Sequence, residues 1–347
     1  MDFGLFLEFP CSEGGTEHDA FKDAFTLVDQ AEEQGVDSVW LAEYHFNPGR
    51  VLASPVTIGS AIAARTERIR IGLAVLLLPL GNPIRIAEEI ATLDHISDGR
   101  VEFGVGRGTF PNVHEGFHTP FSESRPRFEE SLEIILKAWT NESFSFSGEY
   151  YSYQDLEVTP KPFQTPHPPI HVGITSEETF PIIGRMGYPI LINPSRVFSL
   201  SDLKPNIDAY RQAWRDEGHT GEGKVGLRIP IYVAETSEKA YTEPRESALF
   251  SKERLGNRVA EYATYGEGTQ GWEAQARRIQ EMNYDDWLRD KVAYGTPGAV
   301  VERLGSLEEE LGLNQVMFEV NFGSLIPKER QLSCLKQFTQ EVMPQLK

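Results

Sequence analysis

Short runs of apolar residues alternate along this chain with longer amphipathic segments. Segments such as 20–34 and 125–139 place apolar residues at helical spacing, whereas 101–106 is mostly apolar, as in a strand covered on both faces. The pattern predicts strands at 3–9, 38–42, 69–78, 101–106, 170–173, 189–192, 227–233 and 316–320. It predicts helices at 20–34, 56–64, 84–96, 125–139, 176–186, 203–217 and 328–342. Eight strands in repeating βα order favour an α/β fold, a (β/α)8 TIM barrel with insertions, over an open doubly wound sheet.

Three segments are longer than a minimal barrel needs. Residues 141–167 are rich in aromatic residues, proline and serine, and predict a hairpin or an extended arm. Residues 241–293 form a long, charged and aromatic insertion, and 112–124 are predicted to be a loop on the catalytic face. Long insertions of this kind serve as lids or interfaces in barrels, so the last two are lid candidates. We treat 1–347 as a single barrel domain with excursions at about 141–167 and 241–293.

Composition narrows the class of protein. The apolar content of 40% and the aromatic content of 11% are those of a globular protein with a real core. The formal net charge of −19 argues against a nucleic-acid partner, because nothing would neutralise the phosphates. The longest apolar stretch, 71–80, is far shorter than the ~20 residues that span a bilayer. The start of the chain lacks a signal-peptide pattern, and two cysteines make no disulfide framework. We expect a soluble cytoplasmic protein without a membrane partner.

The predicted strand 38–42 ends abruptly in Glu43, Tyr44 and His45. Active sites of barrel enzymes lie at the C-terminal ends of their strands, which favours a catalytic role for these side chains. Histidine is the side chain most easily tuned to exchange a proton near neutral pH, so His45 could act as an acid or base that a neighbour orients. A buried histidine paired with a glutamate for structural reasons is the competing interpretation.

Arg107 lies between Gly106 and Gly108, directly after the predicted strand 101–106. The glycines allow the backbone to approach a ligand closely, and a guanidinium group in such a turn suits an anion. A structural salt bridge is the alternative. Arg125 opens the next predicted helix and could support the same anion, although an ordinary surface arginine fits it as well.

Hydroxyl groups of Thr175, Ser176 and Thr179 follow the predicted strand 170–173. Such groups are ordinary helix N-caps, and they also hold phosphates at helix N-termini. His114 and His118 are four residues apart, but without a helical pattern, so we expect no metal site.

Together these motifs resemble the bacterial luciferase-like flavin monooxygenases, and among them the luciferase α subunit. The similarity runs nearly from end to end, and its order and spacing are more specific than any single motif. It is carried by residues 1–4, 39–46, 94–100, 103–108, 124–125, 295–297 and 342–347.

The resemblance implies a barrel that binds reduced FMN (FMNH2). It implies that Arg107 holds the phosphate with support from Arg125, Ser176 and Thr179, and that Glu43 lies near the ring. A non-proline cis peptide is implied beneath the flavin, at the positions of Ala74 and Val75. The remaining cofactor-binding positions that it implies are Gly106, Gly173, Ile174 and Thr175.

The resemblance also implies a reaction in which one oxygen atom of O2 enters a small organic substrate through a flavin C4a-hydroperoxide. We expect His45, Tyr44 and Glu43 to be the catalytic residues. The chain has no reductase module, so reduced flavin would come from a separate flavin reductase. A homodimer is expected, with helices 56–64 and 84–96 as candidates for its interface. Two alternatives stay open: an F420-dependent dehydrogenase of the same superfamily, and a non-catalytic subunit of a heterodimer.

Three departures from the light-emitting relatives concern residues near the flavin. Tyr44 stands where the luciferase α subunit has a histidine, Gly106 where it has a reactive cysteine, and Pro194 where it has a tryptophan. A tyrosine with an ordinary pKa of ~10 is a poor base at neutral pH. We therefore expect oxygen chemistry without light emission.

Overall fold

A closed ring of parallel strands forms the centre of the structure, a computed structural model that describes residues 1–11, 14–194, 199–265 and 271–347. The strands are β1 (Asp2–Leu7), β2 (Ser38–Leu41), β3 (Arg70–Leu73), β4 (Leu76–Leu77), β5 (Val101–Gly106), β6 (Phe144–Ser147), β7 (Ser152–Leu156), β8 (Ile170–Ile174), β9 (Ile190–Ile192), β10 (Val225–Val233), β11 (Ala293–Gly295) and β12 (Gln315–Glu319). Pairing follows the order β1, β2, β3, β5, β8, β9, β10 and β12, and β12 pairs again with β1. The predicted (β/α)8 TIM barrel is confirmed.

Helices cover the outside of this ring. They are α1 (Glu17–Glu33), α2 (Pro55–Ala63), α3 (Pro83–Ile96), α4 (Pro111–Gly116), α5 (Ser124–Thr140), α6 (Thr179–Met186), α7 (Leu203–Asp216), α8 (Ser237–Thr242), α9 (Arg245–Tyr262), α10 (Trp272–Glu281), α11 (Tyr284–Asp290), α12 (Pro297–Leu311), α13 (Lys328–Gln337) and α14 (Met343–Leu346). Helix boundaries follow local chemistry: a capping box of Thr16 and Asp19 starts α1, and Gly312 in the left-handed conformation ends α12. No helix in the described part of the chain is long and apolar enough to cross a membrane.

Several predicted boundaries were wrong. The expected strand 69–78 is divided into β3 and β4 by a cis peptide bond between Ala74 and Val75. The expected loop 112–124 contains α4, which begins at Pro111, and a turn of 3₁₀ helix. The expected closing helix 328–342 is α-helical only as far as Gln337, the end of α13, and a π-helical turn connects α13 to α14. The expected helix 176–186 begins only at Thr179. Helix α12 and strand β11 were not predicted.

The two excursions have regular structure. The first contains β6 and β7, which pair as an antiparallel hairpin. The second includes α9, α10 and α11, and its residues 266–270 lie outside the described part of the chain. These helices share a buried apolar cluster of their own, with Trp287 fully buried. The single-domain organisation of 1–347 stays a prediction.

Arg100 holds loops together at the N-terminal end of β5. Its guanidinium group donates to the backbone carbonyls of Ala63, Thr66 and Ile69 at 2.9, 3.0 and 3.0 Å. Asp94 accepts from the backbone and side chain of Gln164, both at 2.8 Å. This part of the motif at 94–100 is therefore structural, because it lies at the end of the barrel opposite the strand C-termini.

Trp40 fills the interior of the barrel. It is fully buried, and its indole N–H donates to Ser38 Oγ at 2.8 Å. A Cβ at Gly4 or Gly72 would lie 2.5 or 2.3 Å from the indole ring, so both neighbouring strands need glycine there. Gly104 of β5 is equally constrained, because a Cβ would lie 1.8 Å from the carbonyl oxygen of Leu73.

We predict that Gly104→Ala destabilises the protein by about 3 kcal/mol or more, because neither the strand nor the carbonyl of Leu73 can move freely. Gly298→Ala is the control, since a Cβ there meets no atom within 4 Å. Alanine in the first turn of α12 should leave stability unchanged or raise it by about 0.5 kcal/mol. Urea denaturation of both variants checks the prediction, and equal midpoints would contradict it.

Candidate active site

A large cavity opens at the C-terminal ends of the barrel strands. It holds about 1590 Å³ of empty space, including solvent at its mouth. Twelve of the predicted site residues line it: Glu43, Tyr44, His45, Ala74, Val75, Gly106, Arg107, Arg125, Gly173, Ile174, Thr175 and Thr179. Ser176 is the one predicted site residue that is not among the lining residues, and its hydroxyl shares a 2.7 Å hydrogen bond with the hydroxyl of Thr179. The structure thus brings together residues that are up to 136 positions apart in the sequence.

One end of the cavity is basic. Arg107 follows β5, and Arg125 lies in the first turn of α5. Burial and the positive charge of Arg125 lower the pKa of the Arg107 guanidinium, so the two arginines are close enough to repel each other. The nearest ion-pair partner of Arg125 is Glu178, at 3.9 Å and largely exposed. Two arginines beside the hydroxyl of Thr179 at the start of α6 suit a phosphate group.

His114 packs against the turn that carries Arg107, next to Gly108. It is fully buried in α4, and a Cβ at Gly108 would lie 2.9 Å from its Nε2. Burial and the neighbouring Arg107 lower the pKa of His114 to about 4, so the ring is neutral at pH 7. The sequence predicted no helix around His114, and this prediction was wrong. Among the described residues no group of three or more histidine, cysteine or acidic side chains could hold a metal ion.

The middle of the cavity is apolar. The cis peptide bond between Ala74 and Val75 lies in its wall, as the family resemblance implied. A Cβ at Gly106 would lie 2.3 Å from Val75, and a Cβ at Gly173 would lie 2.9 Å from it. Both glycines therefore make room for the valine side chain, and Gly106 cannot become cysteine without displacing it.

Glu43 and His45 form an ordered pair at another part of the wall. His45 Nε2 donates to Glu43 Oε1 at 2.8 Å, and Glu43 Oε2 accepts from the backbone N–H of Leu77 at 2.7 Å. The His45 ring also packs edge-on against Phe117, with 4.7 Å between centroids. The hydrogen-bonded Glu43–His45 pair also lines the cavity, so the structural and the catalytic interpretation of this motif do not exclude each other.

Tyr44 belongs to a buried charged network beneath the cavity. Its hydroxyl donates to Glu8 at 2.5 Å, and Glu8 also accepts from Arg50 and, at 2.9 Å, from Arg228. Arg228 donates in addition to Glu319 at 2.6 Å. Tyr44 therefore has its proton engaged by a carboxylate.

The network gives its carboxyl groups different pKa values. Burial opposes ionisation of Glu8, but Arg50 and Arg228 outweigh it and lower the pKa of Glu8 to about 2. Burial raises the pKa of Glu319 to about 7, because the one arginine it contacts is shared with Glu8. Burial and the charge of Glu8 raise the pKa of Tyr44 to about 12, so Tyr44 stays protonated at neutral pH.

Sequence reasoning missed Glu8, Arg50, Arg228 and Glu319. Glu8 directly follows β1 and Glu319 ends β12, so the same rule that selected Glu43 could have found both. Arg228 is a lone charge within the apolar strand β10, which is itself a sign of a buried partner. Arg50 has no comparable sign in the sequence.

We predict that Glu319→Gln changes how stability depends on pH. The ordinary glutamate pKa is 4.5, so a folded-state pKa of about 7 gives the wild type a stabilising contribution below pH 4.5 that is lost as the pH rises to 7. The variant lacks this contribution. Its free energy of unfolding relative to the wild type should therefore rise by on the order of 2 kcal/mol between pH 4.5 and 7.5.

Urea denaturation across this pH range measures the difference. Glu8→Gln is the matched control within the network. It leaves Arg50 and Arg228 without a full counter-charge, so the free energy of unfolding of this variant should be about 3–5 kcal/mol lower than that of the wild type at pH 7. A constant difference between Glu319→Gln and the wild type would refute the raised pKa of Glu319.

Comparison with known proteins places this architecture in a family. The family model of the luciferase-like monooxygenases matches residues 1–315. The alkanal monooxygenase alpha chain of the Kryptophanaron alfredi symbiont is 25% identical over 100% of this chain and 99% of its own length. The FMNH2-dependent dimethylsulfone monooxygenase of Pseudomonas putida is 29% identical over 73% of this chain and 70% of its own.

Two solved structures share the fold. The oxygenating constituent of 3,6-diketocamphane monooxygenase from Pseudomonas putida, a type II Baeyer–Villiger monooxygenase in complex with FMN, superposes with a TM-score of 0.82 at 20% identity, over 99% of this chain and 98% of that one. An F420-dependent secondary alcohol dehydrogenase superposes with a TM-score of 0.76 at 18% identity, over 100% and 99%. The match of the family model over most of the sequence decides the assignment: the chain belongs to the luciferase-like monooxygenase family.

Proposed function

We propose that this chain is an FMNH2-dependent monooxygenase that inserts one oxygen atom of O2 into a small organic substrate. The observation that carries the proposal is one cavity that combines two neighbouring arginines, an apolar wall and the Glu43–His45 pair. Relatives named as an FMNH2-dependent monooxygenase and a monooxygenase in complex with FMN support the choice of cofactor.

The residues present fit FMN. Arg107 and Arg125 would bind the phosphate, because no carboxylate of the described residues pairs closely with Arg107 and only the exposed Glu178 approaches Arg125. The hydroxyl of Thr179, held by Ser176, would accept or donate a further hydrogen bond. The apolar wall around Val75 would contact a flat ring. Reduced FMN would supply the electrons that activate O2.

The protein's own contribution is to orient a proton carrier. Glu43 fixes the His45 ring through Nε2, and it is held in turn by the backbone of Leu77. Among the described residues no group bonds to His45 Nδ1, which leaves that atom for a reacting molecule. We assign proton transfer to His45, its orientation to Glu43, and shaping of the wall to Tyr44, whose hydroxyl already donates to Glu8.

Exclusion of water is the second contribution, since activated oxygen is lost as H2O2 when water enters. The insertion supplies a cover: the Tyr262 hydroxyl of α9 donates to Asn112 Oδ1 of α4 at 2.6 Å, and both residues line the cavity. This contact joins the two segments that the sequence marked as lid candidates.

A separate flavin reductase would deliver the reduced cofactor, and oxygen insertion without light emission is the expected outcome. The homodimer stays a prediction, with α2 and α3 as its candidate interface.

We predict that Arg107→Gln raises the Kd for FMNH2 by about 10- to 100-fold, because a charge-assisted bond to phosphate is lost. Arg127→Gln is the control: Arg127 lies on α5, the helix that carries Arg125, but it pairs with Glu123 at 2.7 Å and does not line the cavity. Anaerobic fluorescence titration measures both. Equal loss in the two variants would show that the effect is not local, and tight binding of F420 in place of FMNH2 would overturn the proposed cofactor.

We predict that His45→Ala still binds FMNH2 but diverts most of the reducing equivalents to H2O2. The exposed His18 provides the control, as His18→Ala should keep the wild-type ratio. With a reductase and a panel of organic acceptors, the measured quantities are O2 uptake, H2O2 yield and product. Unchanged coupling in His45→Ala would remove His45 from the mechanism.

A further inference from the structure

A second cavity adjoins the first on the far side of Tyr44. It holds about 590 Å³ of empty space, including solvent at its mouth. Tyr44, Phe110, Arg228 and Arg258 line both cavities, so these four side chains form their common border. The proposed chemistry uses the first cavity and gives the second no task.

Four arginines line this second cavity: Arg50, Arg228, Arg254 and Arg258. The first two are paired, since Glu8 accepts from both and Glu319 accepts from Arg228. Arg254 and Arg258, one helical turn apart on α9, form no ion pair with any carboxylate of the described residues. Arg254 reaches Asn47 Oδ1 at 3.4 Å, and Arg258 lies over the Phe110 ring at 5.5 Å.

The charges in this region do not balance. Four guanidinium groups and the Glu8 carboxylate line the cavity, and Glu319 pairs with Arg228 from outside it, which leaves two guanidinium groups without a counter-charge in a protein whose net charge is −19. Burial and repulsion from Arg50 and Arg258 lower the pKa of Arg254, so the group is destabilised in its charged form. The Nε of Arg228 is buried without a hydrogen-bond partner among the described residues. A buried donor without a partner, beside two arginines without a counter-charge, favours the binding of an anion.

A purely structural role does not account for Arg254 and Arg258. Glu8 and Glu319 carry at most two negative charges between them, and Arg50 and Arg228 already neutralise these charges. The rest of the second cavity is mainly apolar, with Phe110, Leu255 and Phe322 in its wall. An organic molecule with one anionic end would satisfy both parts.

We propose that the second cavity binds a carboxylate group of the substrate that the enzyme oxidises, which makes this enzyme specific for organic acids. The proposal rests on the proposed function, since the carbon to be oxidised would lie in the first cavity. Arg254 and Arg258 would hold the carboxylate, because the guanidinium fork matches its two oxygens. Both arginines belong to the insertion, so a bound acid would also tie α9 to the barrel.

Binding of matched acids and alcohols tests the proposal. Octanoate is compared with 1-octanol, and phenylacetate with 2-phenylethanol, by calorimetry on the full chain. The wild type should bind at least one acid about tenfold or more tightly than its alcohol. R254Q/R258Q should lose this preference, and R254K/R258K, which keeps the charge but not the fork, should retain part of it.

Two control variants locate the binding. R277Q removes an exposed charge of the same insertion and should keep the preference. R107Q should keep it as well, whereas loss in R107Q and retention in R254Q/R258Q would place the acid at the phosphate end and overturn the proposal. Equal affinity for acids and alcohols in the folded wild type would overturn it too. The binding measurement needs no flavin, so its failure leaves FMNH2-dependent oxygen uptake as a separate result.

Discussion

The backbone hydrogen bonds between β1 and β12 close the sheet, and this closure determines where the polar residues meet. In a closed parallel barrel all strands end at the same face. Glu8 and Glu319, which are at opposite ends of the chain, are thereby brought to one arginine. Since a buried carboxylate is stable only when it is paired, the closure of the backbone also dictates that Arg228 be present within β10. The closed fold therefore determines which charges must be present at the site.

The alternation of apolar runs predicted the barrel because strands covered on both faces leave a strong periodic pattern. The same pattern could not predict the break after Leu73, since a cis peptide bond has no period of its own. Helix α4 and strand β11 are too short for periodicity to detect. The prediction therefore failed where an element is brief or where the backbone itself is unusual.

For the candidate site, position at a strand end was the useful guide. It selected Glu43, His45 and Arg107, which all line the first cavity. It did not select Arg254 or Arg258, because their place beside the barrel depends on how α9 packs against it. A residue that reaches a site from an insertion has no mark in the sequence near the strands. The residues that shape the second cavity could therefore be recognised only in three dimensions.

The insertion has an apolar cluster of its own, built around Trp287 and separate from the main core. A segment with its own core can tolerate surface changes without disturbing the packing of the strands. Substitutions on α9 can accordingly accumulate while β5, α5 and α6 keep the basic end of the first cavity unchanged. Exchanges on this one helix would therefore alter the lining of the second cavity and leave the phosphate-sized basic end of the first cavity as it is.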